Sequence, residues 1–196
     1  MPICRVLTNK EIKKFLQSKK LIIDPFEENC LQPTSYDIRV GSYVLISDSP
    51  LLKHINTFLV NKKKNNLNQA LLKNLQGCKD QIYLKDGDIL TIEPLKKYLL
   101  HSLEKIEMPL NLCGDIWMRS SFQREGIFPV VQGIIEVGWK GNLTLEIVNL
   151  APDSVKIKFG DRIATIRFYE VSEELKEGYS GLYQNSIGVV TSRRLL

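Results

Sequence analysis

From residue 81 onward the chain alternates short apolar segments with turn signals, and this spacing limits the folds open to it more than any other feature. Residues 81–84, 89–92, 98–100, 115–118, 127–131, 143–148, 155–157 and 163–168 form the series. Asp86-Gly87-Asp88, Gly138, Gly141 and Gly160 punctuate it. Many short strands at this spacing, with little helix between them, predict a mainly β chain built as an antiparallel barrel or sandwich. There is no βαβ rhythm and no dinucleotide-type glycine fingerprint.

The N-terminal part adds a little helix. Thr8-Asn9-Lys10-Glu11 is a capping-box pattern, and Ile12, Phe15 and Leu16 follow at helical spacing, predicting a short amphipathic helix to about Lys19. Residues 21–23 read as a short strand stopped by Asp24-Pro25. Residues 35–46 alternate apolar and polar side chains around Gly41 and read as a hairpin of two strands. Residues 47–80 change to Lys, Asn and Leu without strand periodicity, which reads as a surface insertion; Leu67, Leu71, Leu72 and Leu75 before Gly77 suggest one small helix there. Residues 176–196 are a tail whose small, polar and aromatic residues suit a mobile loop that closes over a ligand.

At 196 residues one domain spanning residues 1–196 is expected. No apolar run is long enough for a bilayer, and the N-terminus lacks the layout of a secretory signal, so a cytoplasmic protein without membrane partners is expected. The net charge of +5 is spread along the chain, with Lys62-Lys63-Lys64 as its only run, which gives no reason to expect nucleic-acid binding. Cys4, Cys30, Cys78 and Cys113 form no C-x-x-C pair, and His54 and His101 have no ligand-spaced neighbour, so no protein-held metal and no zinc are expected.

Two groups of residues carry chemistry. In the strand at 143–148, Leu143, Leu145 and Ile147 share one face, and Thr144, Glu146 and Val148 the other. Glu146 is thus a carboxylate amid apolar neighbours, where desolvation would suit it to proton transfer; the alternative is a half-exposed strand glutamate paired with a lysine. Arg119-Ser120-Ser121-Phe122-Gln123-Arg124 sets two guanidiniums beside two hydroxyls. Arginine's planar fork matches phosphate oxygens, so the segment is a candidate anion site, with surface ion pairing as the alternative.

That segment, with Ile135-Glu136-Val137-Gly138-Trp139-Lys140-Gly141, Leu145-Glu146 and Tyr183-Gln184 before Gly188, resembles the motif series of the dCTP deaminase and dUTPase superfamily. Leu7-Thr8-Asn9-Lys10-Glu11-Ile12 and Ser35-Tyr36-Asp37-Ile38-Arg39-Val40-Gly41 look like its deaminase branch, including archaeal-type and bifunctional members. The resemblance implies a distorted β-barrel or jelly-roll-like subunit, a homotrimer with sites at subunit interfaces, and dCTP or dUTP as substrate with Mg²⁺ carried on the triphosphate. It implies that Glu146 moves protons at cytosine C4, while Arg124 and Ser120 position the water and the base. Arg119 and Ser121 fall on the phosphate side, Glu136 at the sugar, and Tyr179, Tyr183 and Gln184 in the closing tail. Zinc-dependent deaminases carry H-x-E and P-C-x-x-C signatures, and neither occurs here. The chain departs from the family's usual pattern at Glu136, where aspartate is usual, and at Leu182 and Ser186, where lysine and glutamine are frequent. A dCTP deaminase, a bifunctional enzyme that continues to dUMP, a dUTPase and a non-catalytic nucleotide-binding paralogue remain open at this point.

Overall fold

The structure, a computed structural model, describes residues 5–47, 80–130, 133–191 and 193. The insertion and helix expected between residues 47 and 80 therefore lie outside the described residues, apart from the strand ends at 47 and 80. Helix α1 (Asn9–Gln17) starts where the capping pattern places it, with the Thr8 amide donating to the Glu11 carboxylate at 2.9 Å. Hydrogen bonds from Arg5 and Thr8 hold the Glu11 carboxyl down at about 2. The helix buries Ile12 and rests Phe15 and Leu16 on the core.

The strands are β1 (Arg5–Val6), β2 (Ile22–Asp24), β3 (Leu31–Gln32), β4 (Ser35–Arg39), β5 (Tyr43–Ser47), β6 (Asp80–Tyr83) and β7 (Ile89–Ile92). They continue with β8 (Lys97–Glu107), β9 (Leu112–Met118), β10 (Ile127–Pro129), β11 (Ile134–Ile135), β12 (Lys140–Asn149), β13 (Val155–Lys158) and β14 (Arg162–Glu170). A short helix α2 (Ser120–Arg124) and a 3₁₀ turn (Glu28–Cys30) complete the elements.

Two six-stranded antiparallel sheets result. One runs β11-β9-β14-β4-β3 with β1 on β14; the other runs β10-β12-β8-β5-β6 with β2 on β8, and β7 pairs with β13 separately. Neither sheet closes on itself, so the expected barrel is an open, jelly-roll-like sandwich. The inward faces meet in one apolar cluster that includes Tyr36, Ile38, Leu100, Ile106, Leu145, Ile147, Ile166 and Phe168. Each such side chain contributes about 1.5–3 kcal/mol by leaving water.

The hairpin expected at 35–46 does not form. Strand β4 pairs with β3 and β14 in one sheet, while β5 pairs with β6 and β8 in the other. Between them the chain crosses the seam, with Val40 bridging to Ser102 and the Gly41 amide donating to the His101 carbonyl at 2.8 Å. A Cβ at Gly41 would collide with the His101 ring, so glycine is needed for this close approach. The ring is buried and fixed: its Nε2 accepts from the Tyr43 amide at 3.1 Å, which makes Nδ1 the protonated nitrogen that donates to the Ser102 carbonyl at 2.7 Å. Burial holds this imidazole below its ordinary value near 6.5.

A charge pair stitches the sheets beside this crossing. Glu104 of β8 is fully buried, and its carboxylate accepts from the Arg39 side chain at 2.6 Å and from the Arg39 amide at 2.9 Å. Burial pushes the Glu104 carboxyl upward, opposed by those donors. Opposite it the β8–β12 ladder is irregular. Asn142 pairs with Lys105 and Thr144 with His101, so Ser102, Leu103 and Glu104 stand against Leu143 alone. The excess on β8 is two residues, an even number, so the inward alternation of both strands survives the bulge. Asn142 Nδ2 closes it by donating to the Ser102 and Glu104 carbonyls, both at 3.1 Å, and the Leu143 amide donates to Ser102 Oγ at 2.9 Å.

Removing one partner of this pair leaves a buried charge. Arg39→Met is expected to lower unfolding free energy in urea by roughly 3–5 kcal/mol, and Arg39→Met with Glu104→Met to recover much of the loss. The His101 site sets a pH dependence. Because its folded value is depressed, the unfolded chain takes the proton first, and stability is lost as pH falls from about 6.5 towards the folded value. Urea unfolding between pH 7 and 5 reads this directly, and the fall over that window should shrink in His101→Asn.

Candidate active site

Strand β12 carries the site because its two faces differ. Along Lys140–Asn149 burial alternates strictly, with Gly141, Leu143, Leu145, Ile147 and Asn149 turned inward and Asn142, Thr144 and Glu146 on the outer face. On that outer face a cleft of about 440 Å³ is lined by Glu146, Thr144, Lys97, Leu99, Trp139 and Tyr183, among others.

Of the two forms expected for Glu146, the structure shows the strand glutamate paired with a lysine and not the isolated carboxylate in apolar surroundings. Leu99 stands opposite it across the ladder, but Lys97 lies on the diagonal and its Nζ sits 2.7 Å from Glu146 Oε1. Both side chains are about three-quarters buried, at 24% exposure for Lys97 and 29% for Glu146. Lys97 escaped the sequence reading because only the strand register brings it to Glu146.

The tail closes one side of this cleft. Gln184 Nε2 donates to the Gly138 and Tyr179 carbonyls at 2.9 and 2.8 Å, and its Oε1 accepts from the Lys140 amide at 2.8 Å. Tyr179 packs on the core and its amide donates to the Val137 carbonyl at 2.8 Å. Ser186 is buried against Gly141, whose missing side chain lets the two backbones touch. Beyond it the Gly188 amide donates to Asn142 Oδ1 and the Val190 amide to Thr144 Oγ1, both at 3.1 Å. The tail therefore lies zipped along β12 rather than loose, and Asn142 and Thr144 are docking residues; the alternation had placed Thr144 on this face without revealing its partner, and Asn142 lies before the strand expected at 143–148.

The remaining candidates lie elsewhere on the chain. Arg119 precedes α2, its Nε 3.6 Å from Asp37 Oδ2 and its Nη1 donating to the Arg162 carbonyl at 3.3 Å. Arg162 Nη1 is also 3.6 Å from that Asp37 oxygen, and Asp37 itself is buried. Ser120, Ser121 and Arg124 are exposed on α2, and Glu136 is exposed in the turn before β12. None of these residues lines the Glu146 cleft. One chain thus gathers Glu146 and Tyr183 in a cleft, secured by Tyr179 and Gln184, and holds the arginine-serine segment apart. Among the described residues no three His, Cys, Asp or Glu side chains are placed to hold a metal ion.

The family model described as dCTP deaminase-like matches residues 6–171. The dCTP deaminase of Thermococcus kodakarensis is 31% identical over 176 residues, covering 90% of this chain and 93% of that protein. A protein of Persephonella marina named "dCTP deaminase, dUMP-forming" is 31% identical over 193 residues, covering 97% of this chain and 98% of its own. Among solved structures, the 2'-deoxycytidine 5'-triphosphate deaminase of Agrobacterium tumefaciens superposes with a TM-score of 0.62 at 19% identity over 86% of this chain. This chain spans about half of that one, 48% of its length, and the likeness supports the fold. The sequence matches carry the assignment: the chain belongs to the dCTP deaminase-like family.

Proposed function

We propose that this chain is a hydrolytic deaminase that converts dCTP and water to dUTP and ammonia. The observation that carries the reading is a carboxylate, Glu146, set in a tail-covered cleft on a strand whose relatives are named dCTP deaminases. Glu146 takes a proton from water as the oxygen adds to cytosine C4 and returns it to the ring nitrogen. Glu146 then takes the proton of the new C4 hydroxyl and delivers it to N4, so that breaking the C4–N4 bond releases ammonia and leaves the uracil carbonyl. General acid–base work of this kind contributes about 10²–10⁴-fold. Arg124 and Ser120 position the water and base, Arg119 and Ser121 receive the triphosphate, which arrives as its Mg²⁺ complex, and Glu136 meets the sugar. Tyr179, Tyr183 and Gln184 hold the tail over the nucleotide.

The separation of the arginine-serine segment from the Glu146 cleft favours a site shared between copies, and a homotrimer is the assembly proposed. The outer face of β9 and β11 supports a packing surface there. Trp117 is 47% exposed and Ile134 74% exposed, while the neighbouring Asp115 has a buried Oδ1 without a hydrogen-bond partner among the described residues. Such a group normally finds a donor.

A second reading, in which dUTP is carried on to dUMP and pyrophosphate, is favoured by the near full-length match to the dUMP-forming protein of Persephonella marina. Chromatography of products from dCTP and dUTP in parallel, each with Mg²⁺, separates the readings. Ammonia with dUTP is expected for the first and ammonia with dUMP for the second; dCTP left unchanged would overturn both. Glu146→Gln is expected to lower turnover by at least about 10²-fold while dCTP affinity stays nearly unchanged. Gln184→Ala removes three hydrogen bonds worth roughly 0.5–1.5 kcal/mol each, so KM for dCTP should rise and limited proteolysis within residues 179–190 should quicken.

A further inference from the structure

The pairing of Lys97 with Glu146 has a geometry that a chance surface contact does not explain. Lys97 stands opposite Val148 and Glu146 opposite Leu99, so the two lie diagonally across neighbouring antiparallel strands, within reach of long side chains. Both line the cleft, and Lys97 is set beside Leu99 and within a wall that also holds Leu145 and Ile135. An ammonium there contributes little to packing, and even this partly buried pair keeps enough contact with solvent that its share of stability is on the order of 1 kcal/mol. What it does fix is the orientation of one carboxylate, since Nζ meets Oε1 at 2.7 Å.

We propose that Lys97 is a positioning residue for Glu146, holding Oε1 so that Oε2 is the oxygen that takes the proton from water and hands it on. The inference rests on Glu146 being the proton-transferring group. A carboxylate on a β-strand otherwise samples several staggered rotamers, and only some direct an oxygen at the reacting water. Misplacement by about 1 Å is enough to cost roughly 10²-fold in rate. The step adds no co-reactant: water supplies the oxygen and the proton, and Lys97 keeps its own proton throughout.

The test compares the parent with Lys97→Met, which keeps the apolar stem without the charge, and Lys97→Arg, which keeps a cation. Turnover and KM for dCTP with Mg²⁺ are measured for each, with calorimetric dCTP binding and thermal unfolding alongside. Lys97→Met should lose about 10- to 100-fold in kcat with KM and affinity within about threefold, and Lys97→Arg should recover most of the loss. In a Glu146→Gln background Lys97→Met should cost nothing further, because both act through one group. Unchanged kcat in Lys97→Met, or a loss that falls on binding or folding and is not rescued by arginine, would overturn the proposal while leaving Glu146 in its role. A parent protein that releases no ammonia from dCTP would overturn the Glu146 reading and this one with it.

Discussion

The Arg39–Glu104 pair is the interaction on which the rest of the chain's geometry depends. It lies where β4 leaves one sheet and the chain crosses to the other, and it buries a carboxylate with no solvent exposure. Taking both charges out of water costs several kcal/mol per ion, repaid only where geometry and further hydrogen bonds are good. Here the carboxylate receives the Arg39 side chain on one oxygen and the Arg39 amide on the other, and Arg39 Nη2 also donates to the Pro25 carbonyl at 2.9 Å. An apolar pair of similar volume would hold the sheets together as well. What the charges add is a fixed register at the seam.

That register reaches the site through the bulge. Glu104, Ser102 and Asn142 share one polar cluster in which the backbone of β8 is pinned against β12. Three residues set against one shift the ladder by an even count, so Leu145 and Ile147 still face inward and Glu146 still faces out. An odd count would have turned Glu146 into the core and an isoleucine into the cleft. The same register brings Lys97 to the diagonal of Glu146. A buried pair at the seam thus decides which side chains can meet on the outer face of β12, and the outer face in turn supplies Asn142 and Thr144 as acceptors for the tail.

Much of this was legible in the sequence wherever the signal was local. The capping pattern of Thr8 and Glu11 gave α1, and strict alternation gave the two faces of β12 and the place of Glu146. Strand β8 was largely missed: the apolar run ended at Leu100, whereas the strand continues through His101, Ser102 and Glu104 to Glu107. Those residues are polar and buried, and their partners, Tyr43, Leu143 and Arg39, are remote in sequence. The hairpin expected around Gly41 failed for a related reason. Alternation reports that two segments are strands, but the glycine between them makes room for His101 at a seam and does not turn a hairpin. For the candidate site, the family motifs supplied the residues that are proposed, while Lys97 had no local signal because a lysine on an outward strand face is ordinary until its cross-strand neighbour is known.

The division of the site across the chain follows from the same topology. Helix α2 hangs between β9 and β10, strands that belong to different sheets, so the arginine-serine segment sits at a connection between the layers. Glu146 sits mid-strand on an outer face, beneath a tail that returns from beyond β14. Arg119 and Arg162 share the buried carboxylate of Asp37, and this chain's own cleft does not reach either arginine. A nucleotide triphosphate has its reacting base at one end and its charge at the other. In the proposed reading it joins the cleft of one copy to the arginine-serine edge of another, and chemistry at Glu146 then waits on assembly.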